Sequence, residues 1–375
     1  PMTKDLASRI YRTLVDDKDP RACRAMSEEA CQQVPGNVVR IIAAQFLTIL
    51  GDALLNPKIT LPGLLQSLGA PAFLVAWLVP LRESGSLLPQ IAIASWVRTL
   101  PIRKWVWVVG AVLQALSVLA IGWVALTLQG ALAGWLIIAL LLLFSLAGGL
   151  NSVAHKDVLG KTIPKHQRGQ VNGWSASAAG VITIGLAMSL WLMAGWSMQA
   201  NLLAWALLAA AGLWLLAAAL FAAVVESPGQ VDGTANGLKD ALEQLSLLRE
   251  DANFRRFVIT RALFLCSALT APYYVVLAHQ SLPADFSVLA LFLLASGLAS
   301  LLSAPLWGRF SDRSSLRVLQ VAAAPAAACG FALVGVSLWR PEWLQWMGAL
   351  PLLYFALSIS HQGIRVGRKT YLVDM

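Results

Sequence analysis

Four charged residues stand out in a chain that is otherwise strongly apolar. Asp52, Lys58, Arg82 and Glu83 all fall between Asn37 and Leu100, a stretch that reads as two hydrophobic runs back to back. A charge at the centre of a bilayer costs roughly 2.5–3.5 kcal/mol on insertion scales, so four so close together make a poor plain anchor. They make sense facing a watery cavity, or paired inside a helix bundle. At ~1.5 Å per helical residue, Asp52 lies roughly 18 Å in from Arg40, and Arg82 and Glu83 lie roughly 17 Å in from Pro71 on the other side. All three reach the same depth, where an acid and a base can meet. Arg82 is the candidate for holding an anionic group, and Asp52 or Glu83 for carrying a proton. Residues adjacent on a helix point ~100° apart, so Arg82 and Glu83 do not both face one partner; one binds while the other pairs. The competing reading is a buried salt bridge that only fixes helix packing. Asn56 adds a polar group one turn from Asp52. Lys58 either joins the cluster or snorkels to the membrane edge. Arg261, in a later hydrophobic run, lines the same cavity or snorkels.

The elements that position these residues are membrane spans. Of 375 residues, 58% are hydrophobic and 13% charged, against about 25% charged in soluble domains; the mean hydropathy is +0.69. The apolar residues fall in runs near the ~20 needed to cross a bilayer. The fold class is an all-α polytopic membrane bundle. Ten spans are expected, at roughly 38–61, 71–96, 104–127, 131–154, 169–194, 200–225, 256–279, 285–307, 317–339 and 343–363. All 28 Lys and Arg except Lys58, Arg82, Arg261 and Arg340 fall in the terminal segments and alternate loops on one side. By the positive-inside rule this places the N-terminus in the cytoplasm, in a cell membrane (the inner membrane if the source is bacterial). The net charge of +9 is therefore read as loop bias beside membrane lipid, with no nucleic-acid partner. Cys23, Cys31, Cys266 and Cys329 show no metal spacing, and the cytoplasmic N-terminus argues against a disulfide. No cleavable signal segment precedes the first span. Pro1 before Met2 and the stop at Met375 read as the ends of a truncated chain.

Gly51, Pro57 and Pro62 are expected to interrupt the first span, and Pro80, Gly85 and Pro89 the second. Freed backbone groups are tolerated there if they line protein or water. In the fifth span Gly173, Ser177, Gly180 and Gly185 read as close helix packing. Tyr273 and Tyr274, after Pro272, read as cavity aromatics or, better, as an interfacial belt, and His155, His166, His279 and His361 as solvated residues at span ends. After the sixth span, 226–255 reads as a linker. It opens with Glu226-Ser-Pro-Gly and carries Leu238, Leu242, Leu245 and Leu248 at the spacing of a surface helix. It separates an N-terminal extension (1–37) and a six-helix bundle (38–225) from a C-terminal bundle (256–375).

An internal repeat supports that midpoint. His155-Lys-Asp-Val-Leu-Gly-Lys-Thr162 ends the fourth span, and His361-Gln-Gly-Ile-Arg-Val-Gly-Arg-Lys-Thr370 ends the fourth span of the second half. A short basic turn follows the second span of each half. The later turn, Gly308-Arg-Phe-Ser-Asp312-Arg313-Ser-Ser-Leu-Arg317, resembles the inner loop motif of the major facilitator superfamily. Ser315 stands where that motif has Gly, and Leu316 where it has a basic residue. The earlier copy keeps only Arg98, Arg103 and Lys104. The resemblance implies two six-helix halves around a central cavity, working by alternating access, with twelve spans where ten are seen here. It also implies that Gly308, Asp312, Arg313 and Arg317 are conformational residues that latch the halves, while the residues themselves also fit a basic loop near anionic headgroups.

Sharper motifs fail. Gly160-Lys-Thr162 resembles the end of a phosphate-binding loop, but His155 stands where that loop needs Gly. Gly173-Trp-Ser-Ala-Ser lacks the last Gly of a nucleophile elbow. No enzyme activity, cofactor or metal is expected. The expected function is secondary active transport of a small organic solute, anionic or zwitterionic because buried bases outnumber acids, with proton coupling as a further step. The alternative is a non-transporting membrane sensor or scaffold on a transporter fold.

Overall fold

A computed structural model describes residues 28–87, 90–164, 168–192, 200–229, 249–282, 286–311, 315–339 and 341–374. The N-terminal residues before Glu28, the surface helix expected at Leu238–Leu248, and Asp312 and Arg313 lie outside the described residues. Within them the chain forms thirteen α-helices: α1 (Glu28–Leu54), α2 (Thr60–Ser67), α3 (Val75–Leu87), α4 (Gln90–Arg98), α5 (Lys104–Thr127), α6 (Gly130–Thr162), α7 (Arg168–Trp191), α8 (Ala200–Ala222), α9 (Ala252–Leu269), α10 (Ala271–Ser281), α11 (Phe286–Ser311), α12 (Ser315–Trp339) and α13 (Ala349–Asp374). Paired as α1–α2, α3–α4 and α9–α10, they make ten spans. Helices are what a bilayer demands, because each backbone group must find its partner within its own segment. Five stretches, at Glu28–Leu54, Lys104–Thr127, Gly130–Thr162, Asn201–Ala222 and Arg317–Trp339, are long and apolar enough to cross a membrane.

Proline alone does not decide where a span breaks. The first span breaks between Leu54 and Thr60, around Pro57. The seventh breaks at Thr270, where Pro272 opens α10; that break was not expected. By contrast α3 runs unbroken through Pro80 and Gly85, since one missing hydrogen bond is absorbed by packed neighbours. Gly85 instead lets Ser145 of α6 approach: a Cβ there would lie 2.9 Å from the Ser145 Cβ.

Aromatic packing builds each half. Trp107 of α5 stacks on Phe221 of α8 at 4.0 Å, and Phe144 of α6 meets Trp214 of α8 edge-on at 5.3 Å. Gly51 lets α1 rest on Trp214; a Cβ would sit 2.6 Å from the indole. In the other half Trp307 of α11 donates its indole N–H to the Ile359 carbonyl at 2.9 Å, and Gly363 of α13 accommodates that indole. Tyr274 is buried, not part of a belt: its hydroxyl donates to the Cys329 carbonyl at 3.0 Å. The belt reading assumed a continuous seventh span, and the break at Thr270 turns Tyr274 inward while Tyr273 stays exposed.

The halves meet mainly along α7 and α11, where Gly180 faces Leu301 and Gly297 faces Ile184. Gly180 thus serves close packing as expected, but Gly185 meets nothing. The halves also touch where α2 packs on α10 and α3 on α9 and α10. The Gly180–Leu301 and Gly297–Ile184 contacts lie midway along α7 and α11. Among the described residues, no comparable packing joins α4, α5 or α6 to α11, α12 or α13 near the basic end. Cys329 is a free, buried thiol, but Cys31, near the start of α1, is disulfide-bonded, which corrects the expectation that no disulfide forms. That expectation rested on the compartment, whereas the bond follows from which sulfurs the fold brings together.

Candidate functional site

The break in the first span is built by Asn56. Its side-chain Oδ1 accepts the Lys58 backbone N–H at 2.9 Å, and its carbonyl accepts the N–H groups of Thr60 and Leu61 at 3.0 Å each. An asparagine side chain can stand in for a backbone turn in this way. The turn sets Asp52 on the last full turn of α1 and Lys58 just beyond it, both facing α3.

Two ion pairs span that gap. Arg82 Nη2 donates to Asp52 Oδ1 at 3.0 Å, and Lys58 Nζ lies 4.0 Å from Glu83 Oε1. Adjacent residues of α3 thus take different partners, as the ~100° helical offset requires. The Arg82 guanidinium also lies over the Phe144 ring, 5.0 Å from its centre, a cation–π contact. In each pair the acid is the more exposed member: Asp52 at 43% against 24% for Arg82, and Glu83 at 40% against 20% for Lys58. The carboxylates are therefore the more accessible members of the two pairs. Lys58 does not snorkel away: its Nζ also lies 3.4 Å from Nε2 of His361 on α13, in the other half.

Arg261 lies on α9, but its side chain is outside the described residues. Gly308 lies near the basic end of α11, and Arg317 is exposed in the first turn of α12. Three polar contacts on this side had no sequence signal beyond residue type. Gln45 pairs with His155 at 3.2 Å, Asn151 donates to Gln114 Oε1 at 2.6 Å, and His361 meets Lys58. The histidine expectation is corrected here. His155 and His361 sit well inside α6 and α13, and both ring nitrogens of His279 are buried without a partner. The first polar residue after an apolar run had marked the span end, but the helices continue past it to Thr162 and Asp374.

A second polar network ties the basic end of the first half. The Glu226 carboxylate is fully buried. It accepts the backbone N–H of Arg103 at 2.9–3.0 Å, that of Lys104 at 2.7 Å and the Lys161 ammonium at 2.9 Å. It caps α5 from a distant part of the chain, where the first N–H groups of the helix have no partner of their own. Arg103 continues the network to Asp157 at 3.1 Å, and Asn37 exchanges two hydrogen bonds with the Val225 backbone. Among the described residues, no group of three His, Cys, Asp or Glu side chains could hold a metal ion.

A helix bundle of this kind has known counterparts. The Major Facilitator Superfamily model matches residues 41–365. The chain belongs to that superfamily. Solved structures share its fold. A D-xylose-proton symporter matches with a TM-score of 0.60 at 15% identity, over 88% of this chain and 81% of that one. The xylose transporter XylE from E. coli, in an inward open conformation, matches with 0.58 at 12% identity, over 89% and 87%. The nucleoside transporter NupG matches with 0.53 at 11% identity, over 90% and 92%. At such identities the likeness is one of fold. No curated protein sequence matches the chain significantly. This is a multi-pass membrane protein of the superfamily; its two ion pairs lie within the first half, and Lys58 of the second pair also meets His361 of the other half.

Proposed function

We propose that the protein is a secondary active transporter, moving a small organic solute across the cell membrane by alternating access. The observation that carries this reading is the seam of paired charges between α1–α2 and α3, with Lys58 reaching across to His361. Charges kept at this depth are expensive unless they serve a pathway, and the two carboxylates are the exposed members of their pairs. Arg82 and Lys58 are the groups to hold an anionic or zwitterionic solute, and Asp52 or Glu83 the groups to carry a proton. The structural neighbours, a xylose-proton symporter and a nucleoside transporter, support a small-molecule substrate. The basic end is taken as cytoplasmic, with 38–225 and 256–375 as the moving bundles joined by 226–255. With packing at the far end and little at the basic end, the conformation is one that opens to the cytoplasm. Gly308, Asp312, Arg313 and Arg317 would latch the second half at that end, as the network of Arg103, Asp157 and Glu226 ties the first.

The test is a thermal-shift screen of the purified protein against a solute library, with Arg82→Ala alongside, followed by uptake into liposomes. A ligand stabilises the state it binds by mass action. A stabilising solute that loses its effect in Arg82→Ala and is taken up by loaded liposomes supports the reading. A ligand that binds without any flux, in either direction and with or without a pH gradient, overturns it.

A further inference from the structure

We propose that His279 is a proton-binding site of the far end, and that its protonation opens the contact between α2 and α10. Ser67 ends the first span and Ser281 the seventh, so both helices finish on the side away from the basic loops. There α2 packs on α10, and Gln66 Nε2 donates to the Val276 carbonyl at 3.5 Å. In an α-helix the carbonyl of one residue points at the N–H four positions on, so Gln66 reaches α10 beside the turn that carries His279. On that turn Gln280 is exposed. His279 shares its face with Pro272, Val275 and Val276, which are three, four and seven positions back and all buried.

Both ring nitrogens of His279 are buried, and neither has a hydrogen-bond partner. A neutral imidazole has one donor and one acceptor, so either tautomer leaves both unmet. Such a group calls for a reason, because nearly all buried polar atoms are paired. A protonated ring is worse placed still, as a buried cation with two donors and nothing to receive them. Parting α2 from α10 lets water reach the ring, and the charged form gains most from water. The proton therefore binds the open arrangement more tightly than the closed one, and a ligand shifts the population toward the state it binds better. The closed state holds fewer protons, so acid favours opening and alkali favours closure.

Burial is the one influence on the ring; no charge acts on it. Among the helices packed on α10, α2 carries no titratable residue. On α3 the charged residues are Arg82 and Glu83, paired with Asp52 and Lys58. On α9 Arg255, Arg256 and Arg261 stand in the half of the span nearer the basic end, with Cys266 following, and on α11 Arg309 stands at the basic end itself. On α13 Tyr354 is buried, and His361, Arg365 and the later titratable residues run on toward the basic end. Glu342 of the 3-10 turn Pro341–Gln345 is exposed. On α10 itself Tyr273 and Tyr274 lie more than a turn back.

The proposal rests on the alternating-access reading for the state that opens, but its test needs no substrate, so flux and the pH response fail separately. Spin labels go on Ser67→Cys of α2 and Gln345→Cys of the 3-10 turn that packs on α10, both exposed. The background has its other cysteines replaced and melts with the parent. Double electron–electron resonance reads the distance from about pH 8 to about pH 5, the range over which histidine changes charge. One short distance is expected at the alkaline end. Below the ordinary histidine value of about 6.5, a longer distance should grow in, its ratio to the short one rising by up to about tenfold for each pH unit. His279→Phe keeps an aromatic ring but takes no proton, and His279→Gln stays polar but does not titrate. Neither should change its distance with pH; a match to the parent at pH 8 shows which of them has kept the fold, and that variant decides. A parent that holds one distance throughout, or a folded variant that still opens in acid, overturns the proposal.

Discussion

Replacing Glu226 by glutamine should weaken the protein more than any other single-atom change described above. The carboxylate is fully buried, so solvent screening gives no discount. It accepts two backbone N–H groups and one ammonium at 2.7–3.0 Å, lengths typical of charge-assisted bonds. Hydrogen bonds to charged groups contribute about 1.5–3 kcal/mol each, and breaking a buried ion pair on one side costs about 3–5 kcal/mol. The amide keeps the volume and one acceptor oxygen but turns an N–H₂ group toward donors, so the loss should be about 3 kcal/mol, near the lower end. At about 2–4 °C per kcal/mol for a domain of 150–250 residues, that is a fall of roughly 6–12 °C in Tm. Thermal unfolding of the purified protein in detergent measures it. Lys161→Met separates the two roles: it removes the ammonium but leaves the α5 cap, and should cost clearly less. If Glu226→Gln melts with the parent, or Lys161→Met costs as much, Glu226 is not the cap that holds α5.

Asp52→Asn should abolish proton-driven uptake and leave counterflow exchange; unchanged driven uptake would remove Asp52 from coupling. In a double-mutant cycle, Asp52→Asn with Arg82→Gln should recover part of the stability lost by either change alone, because the pair at 3.0 Å is removed as a unit; strictly additive losses in Tm would show that the two are not coupled. Asn56→Ala removes the acceptor of the Lys58 N–H and should cost about 1 kcal/mol, as lost caps do, read as a lower Tm. Gly51→Ala should cost about 1–3 kcal/mol through overpacking, since its Cβ would lie 2.6 Å from Trp214; an unchanged Tm would mean that α1 can back away.

Much of this was legible because periodicity and depth are local quantities. Run length placed all ten spans, and counting residues inward from each end brought Asp52 and Arg82 to the same level, where they pair. Other features were hidden because their partners are distant in sequence. Glu226 beside Ser-Pro-Gly reads as the solvated start of a loop, and only the fold shows that it supplies what the first turn of α5 lacks. His361 reads as a span end because polarity rises there, yet a helix needs no apolar residue to continue. The break at Thr270 was signalled by Pro272, but Pro80 gives the same signal without a break. The outcome depends on what packs beside each proline.

The two ion pairs of the seam also bear on how the chain enters the membrane during synthesis. Taken alone, the first span carries Asp52 and Lys58, each costing about 2.5–3.5 kcal/mol near the centre, a heavy load for a single emerging helix. The second span carries the complementary charges, and Gly69, in the left-handed region, shapes the far-end turn between the two; the Leu68 carbonyl beside it accepts the N–H of Gly130, from the turn between α5 and α6, at 2.8 Å. The buried charges of the first two spans thus find their partners only in the hairpin. The natural unit of insertion here is the pair, so a ribosome halted between them should leave the first span outside the bilayer until the second has been made.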